Sequence, residues 1–178
     1  MNINEVKEAR HEILDALNTE FNEAMIAAVL TEEQDGEPEM IQAVLDEMGD
    51  PDDEPVGQFL FRPLQSEEDT VQYFVSIITL WDELPEDRLG QLYEALAYIN
   101  FSLPTGCFSI DKDHRFLCFV LSLPLPMDLP KDEVFRQVDL SIGNAIGVAD
   151  MYMGIISDVM TGKEDASGVI EFLGGPAK

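Results

Sequence analysis

The sequence predicts an α+β fold in which an antiparallel sheet carries helices packed on one face. Apolar residues recur at helical spacing near both ends of the chain, and segments rich in Val, Ile, Phe, Tyr and Thr occupy its middle. A net charge of −26 accompanies a hydrophobic content of 46%. A chain this apolar forms a core, so the acidity belongs to the surface of a folded protein rather than to a disordered tail.

The first third of the chain reads as helical. One pattern spans residues 3–30, with apolar residues three and four positions apart. A second, shorter helical pattern ends at Gly49, a residue type that often follows a helix, and its apolar residues are Ile41, Val44, Leu45 and Met48. The acidic residues 50–55 are predicted to form a loop.

Two pairs of strands and a helix follow. Residues 58–64 and 70–81 are predicted strands because β-branched and aromatic residues dominate them. Pro63 indicates that the first is an edge strand or that it ends at this residue. An amphipathic helix carries Leu89, Leu92, Tyr93, Leu96 and Ile99. Residues 101–110 and 115–123 form a predicted hairpin, which Pro124 and Pro126 end. The predicted order is α-(α)-β-β-α-β-β-α.

A long helix is predicted from Asp128 to Gly162. Its apolar arc is wider than one core contact needs, which indicates burial against the sheet and against another helix or protomer. Gly143, Gly147 and Gly154 share one side, where they either admit another backbone or form an exposed face. Residues 1–162 are predicted to form one domain, and residues 163–178 a flexible C-terminal tail.

The two cysteines and the absence of a targeting pattern predict a cytoplasmic protein. No window approaches 18 apolar residues, so we expect no membrane span. If residues 111–114 form the hairpin turn, Cys107 lies opposite Cys118. This placement allows a disulfide in an oxidising setting, while two buried free thiols are the more common arrangement.

The residues offer little for catalysis or metal binding. A calcium loop starting at Asp50 fails because Pro55 and Phe61 stand where Gly and Glu are required. His11 and His114 have no second ligand at zinc spacing, and ten Lys plus Arg are too few for a nucleic-acid surface. We therefore predict no enzymatic activity, no cofactor, no metal and no nucleic-acid partner.

One stretch of the chain resembles known proteins. The order of motifs is Leu80-Trp81-Asp82-Glu83-Leu84-Pro85-Glu86-Asp87, Leu92-Tyr93-Glu94-Ala95-Leu96, Ile99-Asn100-Phe101, Gly106-Cys107-Phe108-Ser109-Ile110-Asp111 and Leu123-Pro124-Leu125 before a long helix. This order is similar to that of type III secretion chaperones (Tir-chaperone or CesT-like) and of the related YbjN-like family of sensory-transduction regulators. The resemblance covers residues 56–160.

The resemblance implies a non-enzymatic, chaperone-like or adaptor homodimer that binds an extended segment of another polypeptide. The matching partner-binding edge is Phe59, Leu60 and Phe61, and the matching dimer contact is Leu89, Leu92, Tyr93 and Leu96. Packing within the protomer is the alternative for both sets. Two other functions stay open at this point: a YbjN-like regulatory or stress domain without a secreted client, and an enzyme that uses acidic residues.

Overall fold

The computed structural model describes residues 2–34, 36–49, 54–63, 71–111, 113 and 115–175. Its helices and strands follow in chain order: α1 (Ile3–Glu23), β1 (Ala28–Thr31), β2 (Met40–Val44), β3 (Val56–Phe61), β4 (Val71–Trp81), α2 (Leu89–Ser102), β5 (Cys107–Asp111), β6 (Phe116–Pro126), α3 (Lys131–Thr161) and α4 (Ala166–Phe172). A short 3-10 helix, Glu86–Arg88, leads into α2.

All six strands form one antiparallel sheet in the order β1-β2-β3-β4-β6-β5. Successive strand residues point to opposite faces, and every strand residue of the hydrophobic core cluster lies on the same face. The helices pack there, over the fully buried rings of Phe59, Phe74 and Phe119. The α+β class, the antiparallel sheet and the helices on one face are thus confirmed.

The first helix is shorter than predicted, and a strand follows it. An Asn2–Glu5 capping box begins α1. The helix ends at Glu23 because Met25 adopts a left-handed conformation (φ 65°) and the Ile26 N–H donates to the Phe21 carbonyl, which closes the helix end. The prediction of one helix over residues 3–30 is therefore wrong, since its last residues belong to β1.

The second predicted helix is also wrong. Ile41 and Ala43 are buried on the core face of strand β2, while Gln42 and Val44 face the other way. Met48 is buried in the turn that follows. The observed order is therefore α-β-β-β-β-α-β-β-α-α, with two strands in place of one helix. Short apolar runs fit both the helical and the strand period, so the spacing of these residues did not decide between a helix and a strand.

The prolines of the sheet lie where no ladder hydrogen bond is lost. Pro63 follows β3, which ends at Phe61, so the predicted strand end is confirmed. Strand β3 pairs with β2 on one side and β4 on the other, so the alternative of an edge strand is wrong. Pro124 and Pro126 lie inside β6 rather than after it. They pair with Tyr73 and Val71 of β4, beyond the point where β5 starts, so β6 has no second neighbour there.

The tight approach of β5 to β6 requires glycine at position 106. Gly106 has φ +72°, and a Cβ atom there would lie 2.4 Å from the ring of Phe119.

Helix α3 runs the length of the domain and ends, as predicted, at Gly162, which is left-handed (φ 75°). By length and composition it is long and apolar enough to cross a membrane. In this fold its inner residues pack on the sheet. Gly143, Gly147 and Gly154 face open space on its outer side.

The predicted flexible tail is wrong over residues 163–175. Helix α4 packs its Ala166 and Val169 into the core. Arg88 links the start of α2 to the end of α3 and to the segment before α4, because its guanidinium donates to the carbonyls of Val159 and Glu164. These bonds satisfy carbonyl groups that the end of α3 leaves free.

Candidate functional site

The face of the sheet opposite the helices is the largest surface that the described elements leave uncovered. We call it the open face. The register of β3 shows the division, because Leu60 lies between Met40 and Val75 on the open face, while its neighbour Phe59 lies between Ile41 and Ser76 on the core side. The open face consists of Val29, Thr31, Met40, Gln42, Val44, Val56, Gln58, Leu60, Val71, Tyr73, Val75, Ile77, Thr79, Cys107, Ser109, Asp111, Phe116, Cys118, Val120, Ser122, Pro124 and Pro126.

This surface is nearly free of charge. Among its residues Asp111, at the end of β5, is the one ionisable carboxylate, although the whole chain carries 36 acidic residues. Most of the remaining side chains are Val, Leu, Ile, Met, Pro and aromatic residues. Apart from Asp111, the acids of the described residues lie in loops and on helices, so the open face is an area of low charge on an acidic protein.

The open-face side chains pack against one another. Tyr73 is 50% exposed and Val29 54%, whereas Val75 and Cys118 are buried although they do not belong to the core cluster. Their burial therefore comes from side chains next to them rather than from the helices. The result is a continuous apolar surface rather than scattered exposed residues.

The size of the open face is comparable to that of a protein interface. Strands of 4, 5, 6, 11, 5 and 11 residues, at about 3.3 Å per residue and 4.8 Å between strands, cover roughly 670 Å². The largest apolar patch on a typical monomer is about 300–600 Å², and a standard interface buries about 800 Å² per partner. The face is therefore large enough to hold a partner.

The two edges of the sheet are each capped by an asparagine. At the β1 edge, Asn22 of α1 donates its side-chain amide to the Ala28 carbonyl at 3.2 Å. At the β5 edge, Asn100 of α2 donates to the Phe108 carbonyl at 3.0 Å and accepts from the Phe108 N–H at 2.8 Å. These side chains occupy backbone groups that an added strand would need. A partner is therefore better accommodated on the face than at an edge.

The predicted partner-binding residues divide between the two faces. Phe59 and Phe61 are buried in the core, where Phe21 and Phe74 contact them. Leu60 alone lies on the open face, half-buried. Because β3 is an interior strand, the three residues do not form the edge that the sequence predicted.

The predicted dimer contact lies mostly inside the protomer. Leu92 and Leu96 are buried in the core, and Leu89 packs against it. Tyr93, which is 47% exposed, is the member of this set that reaches the surface. Helix α2 therefore presents its predicted contact to its own sheet, and the homodimer stays a prediction.

The two cysteines are free and do not face each other. Cys107 pairs with Val120 and Cys118 with Ser109, so the predicted register is shifted by two residues. Both belong to the open face, where Cys107 is exposed and Cys118 is buried. Burial raises the pKa of the Cys118 thiol to about 11, so this thiol stays protonated and unreactive at neutral pH.

The described residues contain no group of three His, Cys, Asp or Glu side chains that could hold a metal ion. His11 pairs with Glu39 on the surface, and His114 lies outside the described residues.

The sequence analysis did not predict the open face, although the pattern of β4, Val-Gln-Tyr-Phe-Val-Ser-Ile-Ile, is apolar on both sides. That pattern is typical of strands covered on two faces, and it could have indicated a second contact surface.

No protein-family model and no curated protein matches the chain. Among solved structures, its fold is similar to that of YbjN from E. coli, a proposed transcription regulator. The TM-score is 0.45 and the sequence identity 13%, over 78% of this chain and 89% of that chain. This likeness concerns the arrangement of helices and strands, and no residue role is taken from it. The resemblances to the YbjN-like family and to type III secretion chaperones both stay predictions.

Proposed function

We propose that this protein is a non-enzymatic, chaperone-like or adaptor protein that binds another polypeptide on its open face. The observation that carries the proposal is the contrast between roughly 670 Å² of nearly uncharged sheet surface and the net charge of −26 around it. A soluble protein seldom exposes a large apolar patch unless another molecule covers it. An extended segment laid across the strands would bury it.

The charge distribution favours a basic partner. The acids around the open face attract a positively charged polypeptide from a distance, while apolar contact on the face supplies the affinity. We expect salt to slow association without abolishing binding, because screening acts on the attraction at a distance and not on buried apolar area.

A second copy of the chain is the competing occupant. Two protomers that each carry −26 repel each other, and salt weakens that repulsion. A dimer built on the open face would therefore grow with ionic strength. Light scattering at several salt concentrations separates this outcome from binding of a basic partner, and a salt-promoted dimer that Tyr73→Glu dissolves would overturn the proposal of a different polypeptide.

Two tyrosines provide a matched test. Tyr73 on the open face and Tyr93 on α2 are 50% and 47% exposed, so each can be changed to Glu at a similar surface cost. The probe is reduced, unfolded lysozyme, a basic polypeptide whose aggregation is followed by turbidity. We expect the wild type and Tyr93→Glu to suppress aggregation equally. Tyr73→Glu should need at least about tenfold more protein, since an uncompensated carboxylate in an apolar contact costs more than about 1.4 kcal/mol. Equal activity of all three proteins, or no suppression by the wild type, would contradict the proposal.

A further inference from the structure

A cavity of about 640 Å³ lies on the opposite side of the domain from the open face, between the first half of α1 and the connection from β1 to β2. Its apolar lining includes Leu14 of α1 and Phe61 at the end of β3. Three cationic side chains of α1, Lys7, Arg10 and His11, also line it, together with the carboxylates of Glu8, Glu33 and Glu39. Pockets of this size hold small organic molecules in other proteins.

Two of these cations already have carboxylate partners. Lys7 pairs with Glu33 at 3.3 Å, and His11 pairs with Glu39 at 2.5 Å. Both pairs join α1 to the β1–β2 connection at the rim of the cavity. Arg10 forms no ion pair with a carboxylate of the described residues, although the charge of Glu33 acts on it from a longer distance.

Arg10 is half-buried and held in place by neutral groups. Its Nη2 donates to the Arg62 carbonyl at 2.9 Å and to the side-chain oxygen of Gln72, and its guanidinium lies 5.3 Å from the centre of the Phe61 ring. Its Nε is buried without a hydrogen-bond partner. No carboxylate among the described residues lies within ion-pair distance of it, and burial lowers the pKa of this guanidinium.

An uncompensated cation is costly in a protein with so many acids. Removing a guanidinium from water without a counter-charge is unfavourable, and 36 acidic residues were available to supply one. Among the described residues, Arg10 makes its hydrogen bonds through Nη2, so within that part of the chain the N–H groups of Nη1 remain available to a ligand. A carboxylate is the group that this planar fork binds best.

We infer that the cavity binds a small organic acid with an apolar body, whose carboxylate pairs with Arg10 and whose body lies against Phe61 and Leu14. This site is independent of the open face and of the polypeptide that we propose there. The acidic surface opposes the approach of an anion, so binding strengthens as salt screens that repulsion. The apolar walls exclude small hydrophilic anions as the preferred ligands, because such anions would leave those walls unfilled.

Decanoate and decanol separate the contribution of the carboxylate from that of the chain. Isothermal titration of the full chain should show decanoate binding at least about tenfold more tightly than decanol, with an affinity that rises between low and moderate salt. This comparison uses the wild type, so it does not depend on how a variant folds. Equal affinities for the two probes would overturn the assignment.

Variants then locate the site. Arg10→Met should remove the preference for decanoate over decanol, whereas Arg136→Met, on the exposed side of α3 and paired with Glu133, should keep it. Tyr73→Glu should bind decanoate as the wild type does. If Tyr73→Glu loses decanoate binding and Arg10→Met retains it, the acid binds on the open face and the cavity assignment is wrong, while the proposed polypeptide site stands.

Discussion

Replacing Asn100 by Ala tests whether a single side chain closes the β5 edge of the sheet. Asn100 lies near the end of α2, and its amide makes both hydrogen bonds to the backbone of Phe108, at 3.0 and 2.8 Å. Phe108 is 3% exposed, so water reaches these backbone groups poorly once the amide is gone. The substitution therefore removes two bonds and leaves a peptide N–H and a carbonyl without partners.

The expected loss follows from these contacts. Each bond contributes about 1 kcal/mol net, and orphaned groups add part of their desolvation cost, so we expect a loss of about 2–3 kcal/mol in the free energy of unfolding. For a chain of this size that corresponds to a fall in Tm of roughly 4–12 °C. Asn100→Asp keeps the acceptor for the Phe108 N–H but places a carboxylate against the Phe108 carbonyl, so its loss should be at least as large.

Urea unfolding followed by circular dichroism measures the change. Asn144→Ala is the matched control, because Asn144 is exposed and donates one long bond of 3.4 Å to Thr105. We expect this control to change stability by less than about 0.5 kcal/mol. Equal losses for Asn100→Ala and Asn144→Ala would refute the capping role, and with it the argument that partners are directed to the open face rather than to the β5 edge.

Two further predictions concern titratable groups. At pH 8 a thiol reagent should label exposed Cys107 within minutes and Cys118 only on unfolding, because burial raises the pKa of Cys118 to about 11; labelling at equal rates would contradict the burial of Cys118. The hydrogen bond that the His11 ring donates to the Glu39 carboxylate raises the pKa of His11 above 6.5. This pair therefore stabilises the fold fully below pH 6.5, and its contribution is lost as the pH rises through the raised pKa of His11. His11→Gln should therefore unfold at lower urea than the wild type at pH 5.5 and at the same urea above pH 8, and a deficit that grows with pH would show that the pair acts otherwise.

Much of the fold could be predicted from local pattern. Helix α2, strand β4 and the end of α3 at Gly162 follow from periodicity and from residues with special backbone preferences. The errors cluster where a pattern was short. Strands β1 and β2 were assigned to helices because their three and four apolar residues fit the helical period as well as the strand period. The left-handed conformation of Met25 could not be predicted, because methionine rarely adopts it.

The register of the β5–β6 hairpin was the second feature that the sequence did not predict. The β5–β6 turn is set by Arg115, whose φ of 59° places Asp111 opposite Phe116 instead of Ile110 opposite Arg115. That shift moved the two cysteines out of opposition. Which non-glycine residue adopts a positive φ depends on how the surrounding strands pack, so it cannot be predicted from the local sequence.

By itself, the sequence determined that the chain is strongly acidic and that it forms an α+β core. Only the tertiary structure decided which apolar residues are buried in that core. The apolar residues of β4 look alike along the chain, yet Phe74 is buried beneath helices while Tyr73 faces outward on the open face. The physical reason is that strand alternation fixes two faces but not which one the helices cover. That choice depends on contacts between residues far apart in sequence, and it is what leaves the open face available to a partner.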